Sequence, residues 1–206
     1  MQIKNIKQVK VDLRSNYKSL RTRMFESGEK HILDSKIAKK LFLTREYKKS
    51  SLILTYVSKD IEVDTKNIII NAIKDGKRVA VPKCIVDTHL MEFYEISSLD
   101  DLEKGTFGVL EPIVEKCKLL ENFPNALCIV PGFSFDLKGY RLGYGKGYYD
   151  RFLSGFEGNT VGICYKNCMR SLLPHGYFDK PVDVLVTESY IRTIKKTGER
   201  SNVRQK

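Results

Sequence analysis

From Ile6 the apolar residues Ile6, Val9, Leu13, Tyr17, Leu20 and Met24 recur every three or four positions, the period at which a helix brings side chains to one face. A second helical stretch, residues 29–42, sets Ile32, Leu33, Ile37, Leu41 and Phe42 on an apolar side. The pattern then changes. Residues 52–57 are a continuous run of strand length, and residues 58–64 follow as the loop beyond its carboxyl end. Asp64 or Thr65 caps a third helix, with Ile68, Ile69, Ile70 and Ile73 as its buried side and Gly76 closing it. Residues 78–82 are the next strand, so the chain reads strand, helix, strand, and a βαβ unit implies a parallel sheet. Residues 90–94 alternate as a further strand, expected at an edge, and residues 97–104 are expected as a short capped helix ending at Gly105. Residues 126–130, 160–164 and 182–186 add three buried strands, and Tyr148, Tyr149, Phe152 and Leu153 fit one helical face. The expected fold is α/β, a three-layer α/β/α arrangement around a mainly parallel open sheet, in a single domain over residues 1–190. Residues 191–206 are polar and basic without periodicity, and a frayed, flexible tail is expected there.

Composition narrows the class. The 206 residues carry a net charge of +11, which invites a nucleic-acid reading. The distribution opposes it. Residues 1–50 hold 14 Lys and Arg against 5 Asp and Glu, residues 191–206 hold 6 against 1, and the remainder holds 16 against 19. A basic stripe on the folded body is therefore missing, and nucleic acid is not the expected partner. No apolar run reaches membrane-spanning length and the lysine-rich start lacks the apolar core of a signal peptide, so the expected location is the cytoplasm and no membrane partner is expected. The five cysteines, at 84, 117, 128, 164 and 168, form no C-x-x-C pair and read as reduced core residues.

The chemistry concentrates after the strand at 126–130. There PGFSFDLKGYRLGYGKGYYD, residues 131–150, places Gly139, Gly143, Gly145 and Gly147 beside Arg141 and Lys146 and runs into a helix. Glycines let successive backbone N–H groups point at phosphate oxygens, the two cations supply charge, and the helix start favours anions. Asp150, in the first helical turn, is placed to cap the helix or to hold a magnesium ion. Neither common nucleotide motif fits. A Walker A loop finds Tyr140 at its first glycine and Gly147 after the lysine, and the dinucleotide fingerprint finds Tyr148 or Asp150 at its third glycine. Earlier in the chain, Lys10 and Arg14 lie four apart and project from one side of the first helix.

RLGYGKGYYDRFL preceded by PGFSFD resembles the signature of the 5-formyltetrahydrofolate cyclo-ligase family, also called 5,10-methenyltetrahydrofolate synthetase. Shorter matches follow in order from Lys10 to Glu188. Residues 10–14 match an N-terminal Lys-x-x-Leu-Arg motif, Glu62 precedes a helix where the family contacts folate, and Val57 stands at an apolar folate contact. Residues 105–112 resemble a family loop in which Phe107 reads as a core aromatic, with a ligand-ring contact as the alternative, and Asp179 corresponds to a metal-contact aspartate in a loop that here carries Gly176 and Phe178. The resemblance implies ATP-dependent conversion of 5-formyltetrahydrofolate to 5,10-methenyltetrahydrofolate with magnesium. It assigns ATP to Lys10, Arg14, Arg141, Leu142, Gly143, Tyr144, Gly145, Lys146, Gly147, Tyr148 and Tyr149, with Arg141 and Lys146 acting on the developing charge. It assigns folate to Val57, Glu62 and residues 144–148, and the metal to Asp150 and Asp179. A monomer or weak homo-oligomer is expected. Two alternatives stand beside it: another ATP-dependent ligase or kinase-like enzyme using the same loop, and an RNA-binding protein with a vestigial pocket.

Overall fold

The computed structural model describes residues 6–105 and 108–194. Phe107 lies outside these residues. Helices α1 (Ile6–Glu26), α2 (Glu29–Leu43) and α3 (Arg45–Lys49) lead into strand β1 (Leu52–Thr55), followed by α4 (Lys66–Lys74), β2 (Arg78–Ile85) and β3 (Leu90–Ile96). Four short strands come next: β4 (Leu102–Lys104), β5 (Leu110–Pro112), β6 (Lys118–Leu120) and the five-residue β7 (Ala126–Val130). Past β7 lie β8 (Ser134–Asp136), β9 (Arg141–Leu142), α5 (Tyr148–Gly155), β10 (Asn159–Ile163), β11 (Met169–Arg170), β12 (Val184–Val186) and β13 (Ile191–Thr193).

Eight of these strands form one sheet in the order β13-β12-β10-β7-β1-β2-β3-β6. The pairs from β12 to β2 are all parallel, while β3, β6 and β13 are antiparallel additions. Every residue of β1 and β7 is buried, so both faces of the sheet centre are covered, which a parallel sheet achieves by packing helices on each side. The chain runs outward from β1 to β2, then returns to the other side of β1 through β7 and continues to β10. Strand order therefore reverses between β1 and β7. The loops leaving the carboxyl ends of those two neighbours diverge and open a crevice, where ligands collect in open α/β sheets.

Several sequence expectations are corrected. Residues 97–104 do not form a helix: a single 3-10 turn, Leu99–Asp101, is capped by Ser98, and the Asp101 carboxylate accepts from the Ser97 and Ser98 N–H groups before the chain extends as β4. Strand β3 is not an edge, because β6 pairs outside it. Ile191–Thr193, placed in the tail by its polarity, instead pairs with β12 and closes that edge of the sheet. Ile32 and Ile70 point outward, 59% and 38% exposed, whereas Ile37 and Ile68 are fully buried. Within α1 the stripe at Tyr17 and Met24 also buries Arg21. Among the described residues no helix is long and apolar enough to cross a membrane.

The fit between β10 and the hairpin of β8 and β9 is tight. A Cβ added at Gly162 would lie 2.5 Å from Cε1 of Phe135, itself fully buried, whereas one added at Gly155, at the end of α5, meets nothing within 4 Å. Gly162→Ala should therefore destabilise the protein by about 1–3 kcal/mol through overpacking. Gly155→Ala should shift stability by about 0.5 kcal/mol or less. Urea unfolding midpoints check both, and equal midpoints would contradict the packing described.

Candidate active site

The crevice between the β1 and β7 loops holds a cavity of about 350 Å³. One wall is apolar and includes Val57, Pro82, Met91 and Leu110, and the facing wall is the glycine-rich loop with Arg141, Lys146 and Asp150. A second cavity of about 370 Å³ lies between α2 and the start of α4, and its Lys30 and Asp34 already pair at 2.6 Å. It contains none of the loop residues.

The loop is shaped from below by a hairpin that the sequence did not announce. Asp136, at the end of β8, is fully buried, and its carboxylate accepts the N–H groups of Lys138 (2.9 Å), Tyr140 (3.0 Å) and Leu173 (3.0 Å). This Asx-type turn reverses the chain and delivers Arg141 to the cavity. Arg21 supports the same hairpin from α1, donating from Nη2 to the carbonyls of Gly132 (2.6 Å) and Phe133 (3.0 Å). Burial opposes the Arg21 charge, yet the surrounding Cys164, Tyr144 and Cys168 keep it firmly protonated. Neither Asp136 nor Arg21 was singled out from the sequence. An arginine in the helix stripe at Tyr17 and Met24 is the signal that existed for Arg21.

Arg141 is almost wholly buried. Its Nη2 donates to Asp150 Oδ1 at 2.6 Å, while Nη1 is buried and has no hydrogen-bond partner, as is the hydroxyl of neighbouring Tyr149. Buried donors left unmatched cost about 1–3 kcal/mol each, and a ligand rich in acceptor oxygens would recover that. Gly145 and Gly147 have φ of +94° and +78°, values that side-chain-bearing residues seldom adopt. Gly147 sits at the N-cap of α5 with no side-chain cap bond, so the first N–H groups of this helix are left to face an anion. Asp150 does not cap α5; it pairs with Arg141 instead.

Helix α1 closes the other side of the loop. Arg14 Nε donates to the Gly143 carbonyl at 2.8 Å, and its guanidinium lies against Gly145, where an added Cβ would be 3.3 Å from Cζ. Lys10 pairs with Asp179 Oδ2 at 2.9 Å, and the Gly176 N–H donates to the same oxygen at 2.8 Å. Burial opposes ionisation of Asp179, but the Gly176 N–H, Lys10 and Arg141 outweigh it and hold the carboxyl below its ordinary range. Asp150 is shifted the opposite way, raised by burial and by the charge of Asp179 against the pull of Arg141. The two carboxylates thus act on one another. These bonds leave Oδ2 of Asp150 and Oδ1 of Asp179 uncommitted, and no cluster of three or more His, Cys, Asp or Glu suited to a metal occurs among the described residues. Two carboxylates beside a glycine loop with unmatched donors are a donor set that fits magnesium, which binds through one or two carboxylates, phosphates and water.

On the opposite wall Val57 and Glu62 are buried, and Glu62 Oε2 accepts the Lys59 N–H at 2.7 Å. Tyr144 leaves 42% of its surface exposed but packs its ring on Phe133 at 4.4 Å. Burial and then the Glu62 carboxylate push its phenol well above the ordinary range, so it remains a donor. Tyr148 and Tyr149 line the cavity at the start of α5. Leu142, like Lys10, Arg14 and Asp179, does not line the cavity: its side chain lies in the core and its carbonyl accepts the Phe133 N–H at 2.8 Å.

Residues 6–188 match the profile of the 5-formyltetrahydrofolate cyclo-ligase family. A Schizosaccharomyces pombe protein named "Probable 5-formyltetrahydrofolate cyclo-ligase" is 35% identical over 184 residues, covering 80% of this chain and 90% of that protein. The solved structure of Aquifex aeolicus 5,10-methenyltetrahydrofolate synthetase matches with a TM-score of 0.77 at 33% identity, covering 96% of this chain and 100% of that one. The Mycoplasma pneumoniae 5,10-methenyltetrahydrofolate synthetase matches with a TM-score of 0.69 at 26% identity, over 87% of this chain and 98% of that one.

The loop geometry makes a direct prediction. Gly145→Ala forces a left-handed conformation costing about 1–2 kcal/mol and presses on Arg14, so inorganic tripolyphosphate should bind about tenfold more weakly. Calorimetric titration measures this, with circular dichroism confirming an unchanged fold. Equal affinity in the variant would contradict the assignment of the loop to an anion.

Proposed function

The chain belongs to the 5-formyltetrahydrofolate cyclo-ligase family, and we propose that it converts 5-formyltetrahydrofolate to 5,10-methenyltetrahydrofolate while hydrolysing ATP to ADP and phosphate. The observation that carries this reading is that one cavity joins two kinds of wall. A glycine loop with a buried, incompletely bonded arginine faces an apolar wall that includes Val57 and Met91, with the Glu62 carboxylate beside it. The first suits a triphosphate, the second a flat pterin with polar edges.

The reaction needs both. The N5 formyl group is an amide whose oxygen leaves poorly, so attack by N10 stalls until that oxygen is activated. In the proposed sequence the formyl oxygen attacks the γ-phosphorus of ATP, the bond from that phosphorus to the β-bridging oxygen breaks, and ADP departs. N10 then bonds to the formyl carbon and loses its proton, the carbon–oxygen bond breaks, and phosphate leaves. Phosphoryl transfer asks the protein for alignment and charge neutralisation rather than a nucleophile. The N–H groups of residues 143–148 hold the phosphates, and Arg141 and Lys146 meet the charge that develops on them. Lys10 and Arg14 brace the loop from α1. Glu62 and the Tyr144 phenol orient the pterin edge against Val57. A magnesium ion held by Asp150 and Asp179 would neutralise part of the triphosphate charge.

Purified protein given 5-formyltetrahydrofolate, ATP and magnesium should develop the methenyl absorbance, and omission of any one component should abolish it. Lys146→Ala should lower kcat/KM by about a hundredfold or more, the usual loss on removing a group that stabilises developing charge, with the fold intact. A fully active Lys146→Ala variant would contradict the role given to this lysine, and a folded, ATP-binding protein without the absorbance change would overturn the proposed activity.

A further inference from the structure

The apolar wall facing the glycine loop rests partly on a projecting ribbon. The ladder between β2 and β3 runs from Val79 and Ile96 out to Ile85 and Leu90, yet β1 accompanies β2 only as far as Ala80 and β6 accompanies β3 only from Phe93. Among the described residues, 82–85 and 90–92 are thus a two-stranded ribbon beyond the sheet, and its Pro82, Cys84 and Met91 line the cavity. The base of the ribbon is secure, since Phe93 is buried and packs on Phe152 of α5 at 4.7 Å. Its outer part has less to hold it: residues 86–90 are all exposed, and a two-stranded ribbon by itself is marginal in water.

Helix α5 fastens the tip. Tyr148 and Arg151 are three residues apart, on one side of the helix, and they meet adjacent residues of the turn. The Tyr148 ring lies 5.9 Å from that of His89, and Arg151 Nη1 donates to the Thr88 carbonyl at 3.2 Å. The turn is shaped for this bond. Asp87 and His89, on either side of Thr88, hold positive φ of 64° and 57°, uncommon for residues with side chains. The Thr88 hydroxyl donates to the Ile85 carbonyl at 2.9 Å and accepts the Leu90 N–H at 3.1 Å, so the turn is stitched internally and moves as a unit. Arg151 itself is exposed and does not line the cavity.

We propose that Arg151 is a positioning residue for the folate half of the reaction: by tying the Thr88 carbonyl to α5 it keeps Pro82, Cys84 and Met91 against the pterin. The proposal rests on the assignment of the folate to the apolar wall. This bond sets the ribbon at a fixed separation from the helix start assigned to phosphate. Its loss loosens the pterin wall and leaves the glycine loop, which is braced by α1, as it was.

Cys84 reports on the ribbon. Of the five cysteines, Cys84 and Cys117 are partly exposed and the other three are buried, so in a Cys117→Ser background the thiol open to N-ethylmaleimide is that of Cys84. Arg151→Ala in that background should speed Cys84 labelling about threefold to tenfold, the span expected for one lost hydrogen bond. It should raise the KM for 5-formyltetrahydrofolate by a similar factor with kcat unchanged, as for a lost contribution to binding, and leave tripolyphosphate affinity as it was. Arg151→Lys, which keeps a cationic donor, should recover part of both effects. His89→Asn removes the ring that meets Tyr148 while tolerating positive φ, and should move both readouts in the same direction as Arg151→Ala. Equal labelling rates with and without the arginine, an unchanged KM for 5-formyltetrahydrofolate, or an equal fall in tripolyphosphate affinity would overturn the proposal. If the parent protein shows no turnover of 5-formyltetrahydrofolate, the substrate assignment falls, while the labelling rates without ligand still decide whether Arg151 holds the ribbon.

Discussion

The site depends first on the buried Asp136 carboxylate. A fully buried carboxylate is costly unless its oxygens accept good hydrogen bonds, and here three backbone N–H groups from two separate segments supply them. Two of those bonds fix the turn through Gly139, and the third fixes Leu173 at the root of the loop bearing Asp179. The same side chain thus sets the position of Arg141 and of Asp179, which feel each other's charge. Backbone donors satisfy its oxygens, and Arg141 and Lys10 pair instead with Asp150 and Asp179.

Helix α1 provides the complementary frame. Arg21, Arg14 and Lys10 are spaced by seven and four residues, which returns them to one side of the helix. They pass from buried at the hairpin root, through Arg14 on the loop backbone, to Lys10 at the part-exposed carboxylate. A single helix face therefore organises the glycine loop along its length. Since the loop itself needs positive φ at Gly145 and Gly147, it has little intrinsic preference for its shape, and the bonds from Arg14 and the pair between Arg141 and Asp150 hold it in the shape that the proposed triphosphate requires. Such preparation limits the ordering cost that binding would otherwise incur.

Much of this was legible in the sequence where local pattern and tertiary environment agree. Residues 52–55 and 126–130 are continuous apolar runs because their strands are buried on both faces, and α1 shows its period because one face packs into the core beside α2. Apart from β12, which lies in the apolar run 182–186, the two- and three-residue strands were not legible. In β6, β9 and β13 the local sequence is polar or mixed, and pairing with distant strands decides the conformation. Residues 97–104 show the same override, with the acidic capping signal producing one 3-10 turn before the chain extends. At the site, residue types announced the chemistry while their pairings were hidden. Lys10 and Asp179 meet across 169 positions, a contact no spacing rule contains. Asp150 appeared as a helix cap or metal ligand, and its bond to Arg141 emerges only once the hairpin turns back. Arg21 and Asp136 were overlooked because polar residues in apolar or turn contexts read as surface until burial is known.

The central claim is that the cavity brings the formyl oxygen to the γ-phosphorus, so that this oxygen, and not water, becomes bonded to phosphorus. Substrate carrying oxygen-18 in its formyl group tests this most directly, with the released phosphate analysed by mass spectrometry after a single turnover. The account predicts that the label is transferred to inorganic phosphate in proportion to methenyl product formed. Unlabelled phosphate, with the heavy oxygen recovered in water, would contradict it.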